Sequence, residues 1–301
     1  VGASVWLDAS EAIGEQVLAG GVVAAGGRAA NALDLQTALL AARAADTIRL
    51  AATASAPTTL GDPRTLTLGP LATVAASQGL RSSDGGDIVL QVSADRLSLA
   101  AQGLVRTVAN GRIEVAVSNA AAPNDSNSSA VLAVAGLVQS ANGGISLKAD
   151  ESVNLVSSDS SNPLQMGDRV AGASNVLVTA RSGLRIVDAG GVNAAGSYGL
   201  NGSTGVLRIQ GNQTLASGQT LALRLDPEGS GSDRLEVSGQ LNLQAANTTL
   251  AVLRNADQVP ELDSSYGFIT AGSISGRFGN ATGLFGFGDG SRVMALQAVQ
   301  D

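Results

Sequence analysis

The chain of 301 residues has no cysteine and no histidine, one lysine (Lys148) and one tryptophan (Trp6). Without cysteine, neither a disulfide framework nor a thiolate metal site can form. Aromatic residues are only 2% of the chain although hydrophobic residues are 44%. The core must therefore be built from Ala, Val, Leu and Ile, small side chains suited to narrow stacked layers. Charged residues are 14%, with a formal net charge of −7. That balance excludes a nucleic-acid partner, whose phosphates demand clustered Lys and Arg. The most apolar stretch, 17–27, is too short and too glycine-rich to span a bilayer, so no membrane insertion by this segment is expected. No basic region precedes an apolar run at Val1, and we expect either a removed leader or a segment of a longer chain.

What the chain does have is alternation. In 85–156, short runs such as Ile88, Leu90, Val92 and Ile113, Val115, Val117 are broken every few residues by Gly, Asn, Ser or Asp. Period two marks strands with one buried face, and the breakers mark turns. One fragment recurs: GLVRTVANGRI from Gly103 and GLVQSANGGI from Gly136, with starts 33 residues apart (103 to 136). Self-similarity at that period is the signature of a solenoid. The fold class we read is all-β, a right-handed parallel β-helix with a short N-terminal capping helix. At about 22 residues per turn, it would hold roughly twelve rungs.

Taken in order, 1–30 form an N-terminal segment and cap, in which Trp6 plugs a core end. In 31–50, Leu35, Leu39 and Ala42 share a helical face and Asp34 can cap its start. The strand DTIRL follows from Asp46. Further strands are expected at 65–68, 71–75, 88–92, 97–100, 113–117, 131–134, 145–147 and 153–156. Two polar inserts, 120–129 and 157–168, read as peripheral loops. Five of the seven aromatic residues (Tyr266, Phe268, Phe278, Phe285, Phe287) fall in the last 36 positions, where rings suit the sealing of a stack.

The helix-then-DTIRL stretch resembles the entry to pectate-lyase-like β-helices. The rungs GGDIVL, ADRLSL and NGRIEV resemble passengers of filamentous haemagglutinin-type exoproteins and autotransporters. The order SDRLEVSG from Ser232, then YGFITAGSISGRF from Tyr266, resembles the C-terminal β-helix region of autotransporters over about seventy residues. That resemblance implies a stable, autochaperone-like folding seed. We accordingly divide the chain into 1–30 as N-terminal cap, 31–205 as β-helix rungs with polar inserts, and 206–301 as autochaperone-like rungs and cap.

Catalytic, cofactor-binding and metal-binding residues are all read as none. Polysaccharide-cleaving β-helices need convergent carboxylates, commonly with Arg, Lys or His as base, and rings to stack sugars. Here the acidic pairs Asp84 and Asp87, Asp150 and Glu151, and Asp226 and Glu228 are scattered, and read as solvated turns. DPEGSGSD from Asp226 and NDSN from Asn124 offer hard oxygens, but neither follows an EF-hand or the calcium-binding nonapeptide spacing. The sequons at Asn124, Asn127, Asn201, Asn212, Asn247 and Asn280 follow from a Ser/Thr/Asn-rich surface. The expected role is a non-enzymatic adhesive or structural module of a secreted or surface-exposed bacterial protein. Its partners would be host, cell-surface or matrix components, or further copies of itself. The alternatives are a carbohydrate-active β-helix enzyme and a subunit of an end-to-end extracellular fibre.

Overall fold

The computed structural model describes residues 4–9, 17–19, 22–25, 37–38, 47–53, 65–68, 80–82, 88–93, 95–99, 101, 104–107, 111–118, 129–141, 143–157, 162–173, 175–188, 194–200, 204–225, 232–244, 247–254, 266–280, 282–287 and 292–297. Nearly all of its strands are parallel, and they coil into a β-solenoid. The first wall is one long sheet carrying Ser4–Ala9, Thr47–Thr53, Ile88–Ser93, Ile113–Ser118, Ile145–Lys148, Asn175–Thr179, Val206–Gln210, Arg234–Leu243 and Ile269–Gly276 in that order. Its register stacks like on like. Ile48 pairs with Ile88, which pairs in turn with Ile113, and the column continues through Ile145, Val176, Leu207, Leu235 and Ile269. The alternation explains why: in Ile113–Ser118 every second side chain is buried, so a slip by one residue would turn the apolar set outward.

A second wall stacks Thr65–Leu68, Arg96–Leu99, Val131–Val134, Ser152–Ser157 and Leu184–Asp188. A third stacks Leu80–Ser82, Leu104–Thr107, Leu137–Ser140 and Val170–Ala171. The recurring fragment lies here, and the two copies pair with each other, Leu104 on Leu137 through Thr107 on Ser140. No strand was expected on this wall: Leu80–Ser82 and Val170–Ala171 are too short for alternation to register, and Leu104–Thr107 and Leu137–Ser140 showed as a repeat rather than as alternation. A fourth sheet, Leu164–Gln165, Gly196–Tyr198, Thr220–Leu225 and Thr249–Arg254, replaces the third wall further along the chain.

The core between the walls is aliphatic. Leu97, Leu132, Val153 and Leu184 of the second wall and Val115, Leu147, Val178 and Ile209 of the first belong to a single buried cluster. Each fully buried side chain of this size contributes about 1.5–3 kcal/mol relative to exposure. Phe278 is buried against the same cluster, and Phe268 is partly buried against it with its ring centroid 6.5 Å from that of Tyr266. Phe285 and Phe287 belong to Thr282–Phe287, antiparallel to Arg292–Gln297. The side chains of those two rings and of Trp6 lie outside the described residues.

Three expectations need correction. There is no α-helix among the described residues. Of the stretch expected to form the capping helix, Thr37–Ala38 is a short strand antiparallel to Val22–Ala25, and the rest of 31–46 lies outside the described residues. At Thr37–Ala38 pairing with a neighbouring strand prevails over the helical spacing, as tertiary context commonly does; Leu35, Leu39 and Ala42 lie outside the described residues. The turns are also longer than 22 residues: steps between first-wall partners run from 25 (88 to 113) to 43 (4 to 47), so fewer rungs fit. Finally, the insert 157–168 is not all peripheral. Leu164–Gln165 starts the fourth sheet, and the 3-10 turn Met166–Asp168 buries Met166. The apolar Leu164 and Met166 draw this end of the insert into the wall. The expected strand at 71–75 and most of the insert 120–129 lie outside the described residues.

Candidate functional site

Carboxylates on the outside of the walls tie one turn to the next. Glu114 accepts from the Lys148 ammonium at 3.0 Å across adjacent first-wall strands. Arg208 stands opposite Glu236 on paired strands and donates to it at 2.7 Å. Glu151, of the pair Asp150 and Glu151, takes Arg181 at 3.0 Å and the Ser182 hydroxyl at 2.6 Å. Asp168 accepts from the Gln165 N–H and closes its own turn. Arg169 beside it donates to the Val156 carbonyl; partial burial lowers its pKa, against the opposing pull of Asp168. Among the described residues, no three His, Cys, Asp or Glu side chains converge as a metal site would require.

Of the calcium candidate 226–233, Ser232 and Asp233 are described, and the Asp233 carboxylate is occupied by backbone. One oxygen accepts from the Gly205 N–H at 2.9 Å and the other from the Arg224 N–H at 2.8 Å. Burial raises its pKa above the ordinary carboxylate value; the two N–H donors and the Arg224 charge pull the other way. Asp226, Glu228, Asp84, Asp87 and the Asn124–Asn127 motif lie outside the described residues. Of the sequons, Asn212 accepts from the Gln240 N–H at 2.9 Å. Asn280 holds both polar groups of Leu250, accepting from its N–H at 2.9 Å and donating to its carbonyl at 2.8 Å. An asparagine used in this way is a backbone surrogate rather than a glycan acceptor.

The polar residues that sequence reasoning missed are buried. Gln213 repeats the pattern of Asn280 on Leu184, accepting from its N–H at 2.9 Å and donating to its carbonyl at 2.7 Å. Tyr198 accepts from the Ile186 N–H at 3.0 Å and donates to Gln219 at 3.2 Å. Gln219 also accepts from the Ala216 N–H at 2.8 Å and donates to the Ala194 carbonyl at 2.9 Å. Burial pushes the Tyr198 phenol well above its ordinary range, so it stays a neutral donor. A signal was present. Gln213 opens its strand, Gln219, Asp233 and Thr248 stand one residue before theirs, and each of the four lies two residues before a leucine in or packed against the core. These groups satisfy strand ends at corners, where a buried unpaired N–H or C=O would be costly. Chemically they brace the coil.

No protein-family model matches the chain, and no curated protein or solved structure matches it.

Proposed function

We propose that the chain is a non-enzymatic structural or adhesive module of a secreted or surface-exposed bacterial protein, of the autotransporter or filamentous haemagglutinin kind. The observation that carries this reading is the use made of the outward carboxylates. Glu114, Glu151 and Glu236 bridge successive turns at 2.6–3.0 Å, which serves a long scaffold. General acid–base work on a polysaccharide needs two carboxyl groups facing a common bond instead. The resemblance of 232–278 to autotransporter passenger ends supports the same reading, as do the absence of cysteine and the polar Ser/Thr/Asn-rich surface. Recognition would then lie with loops and wall surfaces presented along the coil, toward cell-surface or matrix components.

The test uses the purified chain. Saturable binding to immobilised cell-surface or matrix material is expected, with no new reducing ends when acidic and neutral polysaccharides are incubated with the same preparation. Turnover of any of these polymers would overturn the reading in favour of a carbohydrate-active enzyme.

A further inference from the structure

We propose that the step between Leu184–Asp188 and Gln213–Leu215 is a parting joint, the level at which the solenoid opens while the turns on either side stay folded. Along the second wall from Arg96–Leu99 to Leu184–Asp188, each strand is held to the next by a backbone ladder. That ladder stops at Leu184–Asp188. The segment that follows at this level, Gln213–Leu215, is not laddered to Leu184–Asp188; it joins the first-wall sheet by pairing forward with Leu241–Leu243. Side chains span the gap: the Gln213 amide takes both polar groups of Leu184, and the Tyr198 hydroxyl takes the Ile186 N–H. The Ile186 carbonyl accepts from the Ala194 N–H at 3.2 Å, with the Gln219 amide at 3.4 Å.

The fold keeps room for this arrangement. Gly183 sits at φ +63°, and a Cβ there would stand 2.6 Å from the Gln213 amide oxygen and 2.4 Å from the Asn212 carbonyl. At the facing corner, Gly211 has φ +141°, and a Cβ would fall 1.9 Å from the Ala180 carbonyl. Any larger residue at either position would push the two turns apart.

The consequence is mechanical. Exposing the Val178 N–H requires two backbone strands to separate, because Asn175–Thr179 is laddered to Val206–Gln210. Exposing the Leu184 N–H requires only that the Gln213 side chain rotate, with no strand displaced. The first wall and the fourth sheet remain continuous through this level, the latter through Ser197 on Thr220. Opening is therefore a wedge on the second wall, hinged on the first.

Hydrogen exchange on the full chain tests this. The amides of Leu184, Ile186 and Ala216 are expected to exchange at least about tenfold faster than those of Val178 and Ile209, although all five residues are buried. Equal protection overturns the proposal. Gln213→Glu sharpens it: an ionised carboxylate still accepts from the Leu184 N–H but repels the Leu184 carbonyl. Exchange at Leu184 relative to Val178 should rise above its value in the parent chain, and fall back as acid protonates the new side chain. Tyr198→Phe, which removes one hydroxyl and keeps the shape, should raise exchange at Ile186 alone. If Val178 accelerates in step with Leu184 in either variant, the level does not open by itself and the joint does not exist.

Discussion

On the N-terminal side of Leu184, the turns from Arg96 to Asp188 are joined at all three walls by runs of backbone pairs. On the C-terminal side, from Val206 to Asn280, side chains take over much of that work at the corners. Asn212, Gln213, Gln219, Asp233 and Asn280 each satisfy a backbone group of another turn or strand end. Both regions share one aliphatic cluster, so the difference lies in how the coil is closed. The C-terminal strands bend more: Arg234–Leu243 pairs first with Val206–Ile209 and then, round the corner, with Gln213–Leu215. Its pairing with Ile269–Gly276 shifts register between Val237 and Gln240. Where the backbone leaves the straight ladder, a polar side chain with two hydrogen-bonding atoms can replace it. The comparison teaches that a solenoid can change the path of its walls without opening its core, provided side chains stand in for the missing strand.

The sharpest way to break the comparison is to charge the core on the C-terminal side. Leu243→Asp places an unpaired carboxylate in a closed stack and should cost more than about 4 kcal/mol by denaturant unfolding. Ile269→Asp should cost less, because Ile269 is only partly buried. A Leu243→Asp chain with the parent's stability would show that the last turns have no closed core. Next in size is a matched pair, Leu155→Ala on the N-terminal side and Leu223→Ala on the C-terminal side. Both residues are buried, and each change should cost about 2–5 kcal/mol. A markedly smaller loss at Leu223 would show that side-chain closure loosens packing as well as pairing.

Asn280→Asp tests the surrogates themselves. The carboxylate keeps the bond from the Leu250 N–H but can no longer donate to its carbonyl, at an expected cost of about 1–3 kcal/mol in thermal or chemical unfolding. No change would mean that this strand end does not need its amide. The smallest effect belongs to Asp233. Its pKa is raised in the folded chain, so the fold binds that proton more tightly than the unfolded chain does. The resulting stabilisation is complete below the ordinary carboxylate range and is lost as pH rises through the raised value. The stability of the parent relative to Asp233→Asn should therefore fall as pH rises through that window, read from the two melting temperatures at each pH. A parent that gains on the variant with rising pH would contradict the burial-raised pKa.

Much of the fold was legible. Ile88, Leu90 and Ile113, Val115, Val117 announced the first wall by alternation, and the 33-residue offset is the register that joins Leu104 to Leu137. At Thr37–Ala38 a strand pair stands where a helix was expected, because spacing alone cannot tell an apolar helical face from strand residues held by neighbours. The buried polar groups were illegible for a different reason. Gln, Asn and Asp in a chain poor in charge read as surface, and only their parity with Leu215, Leu221 and Leu235 marks Gln213, Gln219 and Asp233 as inward. Parity becomes informative once the strands are placed. The pairing of Glu114, Glu151 and Glu236 across turns was not legible, because it depends on which strands stack.

Asn280 can be restated in the language of polymer growth. A parallel sheet edge is a template, and each added strand exposes a new template identical in kind to the last. At Leu250 that template is already occupied by an amide carrying one donor and one acceptor and no further chain behind them. The Gly279 N–H fills the neighbouring Thr248 carbonyl in the same way. Together they act as a chain-stopper does on a growing polymer, ending the fourth sheet with a group that binds but does not propagate. A strand pairing at Leu250 would need the two positions that Asn280 already fills.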